Sequence, residues 1–270
     1  MKTVTIRPQP EGLPYMEFGF SPLVGLADAG VSAGSKTSPR AILSTANSGD
    51  MRFDPTAESE ARRGFFTKLG LEPERVASLQ LKHTRRVVFI KAGEKAGPLL
   101  ASAAAGEGAD GIIVEGPVWI PALTVADCMP IWLHDARRGV FGILHSGWKG
   151  TGILAEAARG MGREFGSLPA DIEAILGPCI GACCYAVPAE RAKLFADEFG
   201  KNTVRVTNSD DGKAEHYIDL RAANKGLAEG LGIGKLLDVE LCTACSPALG
   251  SYRRQGPAGF TRMIALCGYF

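Results

Sequence analysis

The sequence lacks any apolar segment long enough to cross a membrane. No uninterrupted apolar stretch approaches the roughly 20 residues that a helix needs to span a bilayer. The N-terminal segment MKTVTIRPQP also has no apolar core of the kind found in secretory signal peptides. Both absences argue against a membrane or secreted protein, and we expect a soluble one.

The sequence also lacks an excess of charge of either sign. Its 30 basic and 29 acidic residues leave a formal net charge of +1, and no run of like charges stands out. This balance disfavours nucleic-acid and membrane-surface binding and favours a small-molecule partner. A G-x-G-x-x-G motif after a strand and a P-loop are absent as well, which disfavours dinucleotide and ATP-binding folds.

Cysteine is present in an odd number, seven in 270 residues. An odd count in a chain of this length fits a reducing cytosol better than a disulfide framework, so the expected location is the cytoplasm. Repeats, low-complexity tracts and linker-like shifts of composition are not found. Residues 1–270 are therefore expected to form one domain, with segment 29–49 as a surface loop.

Short apolar or β-branched runs predict strands, and longer amphipathic patterns predict helices. The predicted strands are Thr3–Arg7, Val76–Leu81, Arg86–Ile90, Gly111–Val114, Ala122–Val125, Pro130–His134, Gly139–His145, Ile172–Leu176, Glu215–Ile218 and Arg262–Cys267, and the predicted helices are 56–69, 151–165, 189–199 and 219–231. Many strands follow one another directly, which predicts an α+β fold with a mixed, largely antiparallel sheet flanked by helices.

One predicted hairpin carries a thiol at one end and an imidazole at the other. The apolar runs MPIWL and VFGIL flank the polar connection HDARRG, with Cys128 before the first run and His145 after the second. If His134 pairs with Val140, Cys128 falls opposite Ser146, and a shift of one residue would make Cys128 and His145 direct partners. Each residue alone is more typical of a structural role, a buried thiol or a solvated imidazole. Their predicted adjacency favours a metal site.

The segment SGWKG follows His145 and leads into a predicted helix. Backbone N–H groups and Lys149 near a helix N-terminus favour an anion at this turn. A catalytic zinc site needs three protein ligands and an open position. Of the remaining histidines, His134 lies in the hairpin connection and His216 in a polar-flanked strand, which leaves His83 as the third ligand by elimination.

The other cysteines form two close groups in the sequence. Cys179, Cys183 and Cys184 follow one glycine-proline pair, and Cys242 and Cys245 form a C-x-x-C. A structural zinc site and a redox pair are both alternatives. The spacing is not that of a zinc knuckle and no thioredoxin-like context surrounds the C-x-x-C, so buried or site-lining thiols are favoured.

Five motifs occur in an order typical of a known family. They are TVADCMPIWLHD (124–135), HSGWKGTG (145–152), LGPCIGACCYAV (176–187), LCTACSP (241–247) and SYRRQG (251–256). From about Gly30 (GVSAG) to the C-terminus the sequence resembles the YfiH-like family, also called the laccase-domain, multicopper polyphenol oxidase or peptidoglycan editing factor family. The resemblance implies a zinc-dependent enzyme that phosphorolyses adenosine, inosine, guanosine and methylthioadenosine and deaminates adenosine.

The resemblance also implies which residues form the site. The family's metal ligands fall on His83, Cys128 and His145, which would be the catalytic centre with one zinc per chain. Its substrate and phosphate contacts imply Ser48 in TANSGD, Arg63, Lys149, Arg253 and Arg254. The sequence departs from the family at Leu81, where a glutamine is usual, at Ala186, where a glutamate is usual, and at Arg62, where an asparagine is usual.

Three alternatives to the nucleoside enzyme remain open. A multicopper oxidase needs many imidazoles, and the four histidines of this chain cannot supply them, although copper in a His₂Cys site is an alternative to zinc. A Cys/His hydrolase would use Cys128 as nucleophile and His145 as base, without His83. A cell-wall precursor binding or editing role is the third. The oligomeric state is not predicted.

Overall fold

The computed structural model describes residues 1–20, 38–57, 59–106, 108–208 and 212–270. Within these ranges the chain forms three sheets and six α-helices. No helix among the described residues is long and apolar enough to cross a membrane. Residues 30–34, the predicted start of the family resemblance, lie outside the described residues.

The largest sheet has seven strands. In spatial order they are β1 (Lys2–Ile6), β14 (Lys235–Val239), β10 (Glu173–Leu176), β8 (Met129–Asp135), β9 (Val140–Ser146), β6 (Gly111–Glu115) and β5 (Val87–Ile90). The predicted hairpin, β8 and β9, occupies the fourth and fifth positions of this sheet. Every residue of both strands is buried. Both strands are apolar on both faces, as expected for strands covered on two sides.

A five-stranded sheet packs against one face of the first sheet. Its spatial order is β2 (Tyr15–Phe18), β3 (Arg40–Ser44), β15 (Met263–Gly268), β7 (Ile120–Val125) and β4 (Val76–Ser78). The fully buried side chain of Trp132 contributes to the core between the sheets, and its indole N–H donates to the Leu266 carbonyl at 2.8 Å. The smallest sheet holds β11 (Ala186–Val187), β13 (Ala214–Ile218) and β12 (Val204–Asn208).

Helices flank the sheets, and three of them cover the outer faces of the two large ones. The helices are α1 (Glu60–Leu69), α2 (Ala96–Ala105), α3 (Ile153–Phe165), α4 (Ala189–Phe199), α5 (Leu220–Leu231) and α6 (Tyr252–Gln255). Apolar residues of α3 and α5 pack on the outer face of the seven-stranded sheet, and Phe65 and Phe66 of α1 pack on the five-stranded sheet. The chain thus forms a helix–sheet–sheet–helix sandwich, which confirms the predicted α+β class. Among the described strand pairs, eight are antiparallel and four are parallel.

The hairpin register differs by one residue from the prediction. Asp135, not His134, pairs with Val140, so His134 belongs to β8 rather than to the connection. The cause is the Asp135 carboxylate, which accepts the backbone N–H groups of Arg137 and Arg138 and closes a shorter turn. In this register His145 pairs with Pro130.

Segment 29–49 was also predicted incorrectly where it is described. Arg40–Ser44 forms β3, a buried strand between β2 and β15, instead of part of a surface loop. The part of the segment before residue 38 lies outside the described residues.

Candidate metal centre and substrate cavity

Three side chains from separate elements meet at one end of the hairpin. His145 lies in β9, Cys128 directly before β8, and His83 in the connection between β4 and β5. One potential ligand atom from each lies within 4.8 Å of the others, and the two imidazole rings are 5.0 Å apart in an edge-to-face arrangement. We call these three residues the histidine–cysteine centre. The structure brings together all three residues that the sequence singled out as ligands.

A buried carboxylate, Asp110, holds two of these ligands. One oxygen lies 3.0 Å from Nδ1 of His145 and accepts the backbone N–H of His83 at 2.9 Å. The other oxygen accepts the N–H groups of Lys82 and Thr84 and the Thr84 hydroxyl. Burial alone raises the pKa of Asp110, but the hydrogen bonds from His145 and Thr84 outweigh it and lower the pKa. Asp110 is therefore an anion that orients His145 and leaves its Nε2 for a metal ion.

Two residues in the left-handed region of backbone space shape the centre. His83 has a φ of 60° and Asp127 a φ of 81°, which is uncommon for residues with side chains. The Asp127 carboxylate is held by the Thr243 hydroxyl at 2.6 Å and by the Arg253 backbone N–H at 2.7 Å. Asp127 thereby turns the chain between β7 and β8 so that Cys128 faces the histidines.

The pKa values of Cys128 and His145 shift in opposite directions and favour a thiolate beside an imidazolium. Burial raises the pKa of Cys128, but the charge of His145 and hydrogen bonds from His145 and His83 outweigh it and lower the pKa to about 6. Burial lowers the pKa of His145, but the Cys128 thiolate and the Asp110 carboxylate outweigh it and raise the pKa to about 10. The sulfur is thus held as the thiolate, which is the form that binds metals. A metal ion would replace the proton that His145 carries in this pair.

The donor set and the space around it fit a metal ion. Two imidazole nitrogens and one thiolate match the mixed ligands of catalytic zinc sites, which keep a further position open. Gly147 follows β9 beside the thiolate, and a Cβ atom there would lie 2.7 Å from the Cys128 sulfur. His83 is exposed, so the centre can be reached from solvent.

The histidine–cysteine centre lies in the wall of a cavity of about 650 Å³. This volume is in the range of small-molecule binding sites. Five aromatic side chains and four arginines also line the cavity: Phe53, Trp148, Tyr185, Tyr252, Phe260, Arg52, Arg191, Arg253 and Arg262. Aromatic faces suit a flat heterocycle, and guanidinium groups suit phosphate.

Of the five predicted substrate or phosphate contacts, the structure places one in the cavity. Arg253 lines it, while its guanidinium also donates to the Cys184 and Ala186 carbonyls. The guanidinium of Arg254 instead donates to four backbone carbonyls, those of Thr243, Ala244, Ser246 and Leu249, and it does not line the cavity.

The other three lie away from the cavity lining. Arg63 is exposed on α1, whereas its neighbour Arg62 is buried and donates to the Met51 carbonyl and the Ser78 hydroxyl. The Ser48 hydroxyl donates to the Pro14 carbonyl at 2.6 Å. Lys149 is exposed, with its ammonium 5.6 Å from the centre of the Trp148 ring.

Comparison with known proteins identifies the family. The sequence profile of the family described as "Multi-copper polyphenol oxidoreductase laccase" matches residues 28–269. The chain belongs to this family. It resembles the crystal structure of the Bacillus licheniformis hypothetical protein YfiH, with a TM-score of 0.70 and 27% identity over 86% of this chain and 93% of that one. The fold is also that of YlmD from Geobacillus stearothermophilus, with a TM-score of 0.72 and 24% identity over 86% of this chain and 92% of that one.

Family relatives carry enzyme names. The mouse protein named "Purine nucleoside phosphorylase LACC1" is 37% identical over 150 residues, which are 52% of this chain and 34% of the mouse protein. The chain thus spans about a third of that relative's length. The protein named "Adenosine deaminase RL5", from an unknown prokaryotic organism, is 31% identical over 202 residues, which are 73% of this chain and 76% of its own length.

Several site residues were not predicted from the sequence. Asp110 could have been found, because pairing the predicted strands 111–114 and 139–145 places it opposite His145, and ligand histidines commonly donate to a carboxylate. Arg52, Arg191 and Arg262 come from three distant parts of the chain, and no local pattern distinguishes them from ordinary surface arginines.

Proposed function

We propose that this protein is a zinc-dependent purine nucleoside enzyme that phosphorolyses adenosine and related nucleosides and also deaminates adenosine. The observation that carries the proposal is the histidine–cysteine centre in the wall of a cavity lined by aromatic and arginine side chains. The enzyme names of family relatives support the substrate class. Two imidazoles and a thiolate can also bind copper, and zinc is favoured because the centre faces a cavity that leaves a further position open, as in catalytic zinc sites.

The cavity offers a place for each part of the substrate. The aromatic side chains can stack on the purine, and the arginines can hold phosphate. Burial and the nearby Cys128 thiolate raise the pKa of Tyr185 to about 12, although the positive charges of Arg191 and Arg253 oppose this. Tyr185 therefore remains a neutral hydrogen-bond donor at the cavity wall.

Two reactions are compatible with this arrangement. In phosphorolysis, a phosphate oxygen attacks C1′ of the ribose and the bond from C1′ to the purine breaks, which yields the free base and ribose 1-phosphate. In deamination, water adds at C6 of adenosine and ammonia leaves, which yields inosine. Zinc held by the histidine–cysteine centre would supply the Lewis acidity that activates water or polarises a substrate oxygen. Asp110 would keep His145 in its ligand tautomer during both reactions.

Of the three alternatives, the first two have less support from the structure. A multicopper cluster needs further imidazoles, and the remaining two of the chain's four histidines lie elsewhere: His134 is buried in β8 and His216 is in β13. A Cys/His hydrolase would not require His83, yet His83 lies within ligand distance of Cys128 and His145. A cell-wall precursor role is compatible with the same cavity, and the substrate experiment below separates it.

Product analysis with adenosine tests the proposal. The purified protein is incubated with adenosine, with and without inorganic phosphate, and the products are separated by chromatography. We expect adenine and ribose 1-phosphate only when phosphate is present, and inosine in both cases. Absence of all three products from a zinc-loaded protein would contradict the proposal.

The cavity arginines should control the use of phosphate. We expect Arg191→Ala and Arg253→Ala each to raise the KM for phosphate by about 10- to 100-fold, because each substitution removes a charge-assisted hydrogen bond to phosphate. The effect on deamination should be smaller. Phosphate titrations at saturating adenosine measure the effect. Arg63→Ala, on the exposed face of α1, is the matched control. If both cavity variants keep the wild-type phosphate dependence, this assignment is wrong.

We also propose that residues 1–270 act as a single catalytic domain. Strand β1 from the N-terminal end pairs with β14, and β3 pairs with the C-terminal β15. Early and late parts of the chain thus share both large sheets.

A further inference from the structure

A second group of potential ligands lies outside the histidine–cysteine centre. Four cysteines from two distant turns, Cys183, Cys184, Cys242 and Cys245, have sulfur atoms within 4.8 Å of one another. We call them the thiol cluster. Their spacing in the sequence disfavours a metal site and favours buried or site-lining thiols. The structure differs from that expectation, since Cys183 and Cys245 are exposed and only Cys179 of this region is buried.

The distances within the thiol cluster suit one metal ion at its centre. The sulfur of Cys245 lies 3.6 Å from that of Cys183 and 3.4 Å from that of Cys184. Zinc–sulfur bonds of about 2.3 Å in a tetrahedron place the sulfurs about 3.8 Å apart. The thiols are thus already near the separations that a four-thiolate site requires.

The backbone of both turns brings the thiols together. The Gly181 carbonyl accepts the N–H groups of Cys184 and Tyr185, which folds residues 181–185 into a tight turn and directs two adjacent cysteines to one side. The Ser246 N–H donates to the Cys242 carbonyl, which places Cys242 and Cys245 on one side of a second turn.

Gly181 is the point where the two turns touch. Its N–H donates to the Cys242 sulfur at 3.2 Å, as backbone amides do toward a thiolate. A Cβ atom at this position would lie 3.1 Å from the Cys183 sulfur and 3.4 Å from the Cys242 Cβ. The close approach of the turns therefore depends on the absence of a side chain here.

Positive charge surrounds the thiol cluster. The guanidinium of Arg205 donates to the Ala182 carbonyl, and that of Arg253 donates to the Cys184 carbonyl. On the second turn, Arg254 donates to three carbonyls, those of Thr243, Ala244 and Ser246. Four thiolates around Zn²⁺ carry a net charge of −2, which these guanidinium groups would stabilise.

We propose that the thiol cluster binds a second zinc ion, in a structural four-cysteine site. Binding replaces the thiol protons, which pass to solvent, with four zinc–sulfur bonds, and no oxidation occurs. The site would link two turns. One turn carries Tyr185, which lies in the cavity wall, and the other carries Thr243, whose hydroxyl donates to the Asp127 carboxylate. The site would thus fix the wall next to Cys128. The proposal is independent of the nucleoside chemistry.

Metal content in ligand variants tests the proposal. Zinc per chain is measured by elemental mass spectrometry after dialysis of the purified protein. We expect about two zinc ions in the wild type, and one each in Cys128→Ser and in the double variant Cys242→Ser/Cys245→Ser. The triple variant should contain none. Cys267→Ala, at a buried cysteine outside both groups, is the control and should keep both ions. A double variant that keeps as much zinc per chain as the wild type would overturn the proposal.

A spectroscopic measurement covers the case in which the double variant does not fold. The Cys128→Ser protein is loaded with Co²⁺, and its visible spectrum and X-ray absorption are recorded. We expect the intense bands of tetrahedral cobalt and a first shell of four sulfurs. Nitrogen or oxygen ligands, or an absence of bound cobalt, would overturn the proposal. A disulfide among the four cysteines in protein purified under reducing conditions would also overturn it and indicate a redox pair.

Discussion

Replacing Cys128 with serine should release the metal ion of the histidine–cysteine centre and lower nucleoside turnover by more than about a hundredfold. A serine hydroxyl does not ionise near neutral pH and is a poorer ligand for zinc than a thiolate. The neighbouring His145 also loses one of the two anions that raise its pKa, so its pKa should fall, while Asp110 still opposes the fall. Metal content and product formation from adenosine are the measurements.

Two controls make this result specific. Cys267→Ala removes a buried thiol elsewhere in the chain and should keep both metal and activity. His83→Ala should behave like Cys128→Ser if the three residues bind metal together. An active His83→Ala protein that is insensitive to chelators would instead support a Cys/His hydrolase, and unchanged zinc in Cys128→Ser would refute the ligand assignment.

Replacing Asp110 with asparagine should lower metal affinity by about 10- to 100-fold without removing any ligand. The carboxylate accepts five hydrogen bonds, from the backbone of residues 82–84, the Thr84 hydroxyl and His145. An amide nitrogen in place of one oxygen would point its N–H groups at these donors. The variant should also lose about 1–3 kcal/mol in the free energy of unfolding for each buried group left unsatisfied.

Competition with a chelator measures the affinity, and denaturant unfolding of the metal-free protein measures the stability. The matched control is Asp197→Asn, which alters an exposed ion pair with Lys193 on α4 and should change stability by less than about 1 kcal/mol. If Asp110→Asn binds zinc as tightly as the wild type, Asp110 does not orient the ligands.

The parts of the fold that local patterns determine were predictable. The helices at 189–199 and 219–231 agree with α4 and α5, and the Asp219 side chain at the N-cap of α5 accepts the Ala222 N–H. Strand β3 was missed because it lies in a segment with several glycine and serine residues, which is typical of a loop, and β14 because its apolar run Leu236–Leu237 is interrupted by Asp238. Helix α2 was missed because its alanine-rich sequence has no clear polar face.

The candidate site was predictable in its ligands and less so in its surroundings. The hairpin pattern placed Cys128 and His145 at one end of two strands, although the register differs by one residue. The turn at Asp127 restores their proximity, and it depends on Thr243 and Arg253, more than a hundred residues later in the chain. Contacts between residues so far apart in the chain produce no local sequence pattern. The same holds for Arg52 and Arg191, whose role depends on where the fold places them.

The hydrogen bonds of Asp110 have a further consequence for the order of assembly. One carboxylate holds the backbone of His83 and the imidazole of His145, so the polypeptide positions both residues without the metal. In small metal-dependent domains, much of the binding free energy of the metal offsets the conformational entropy that the chain loses when it folds. Here the chain loses that entropy when the sheets form, before a metal ion binds. Zinc should therefore enter and leave a folded protein, and exchange with other divalent ions should proceed without unfolding.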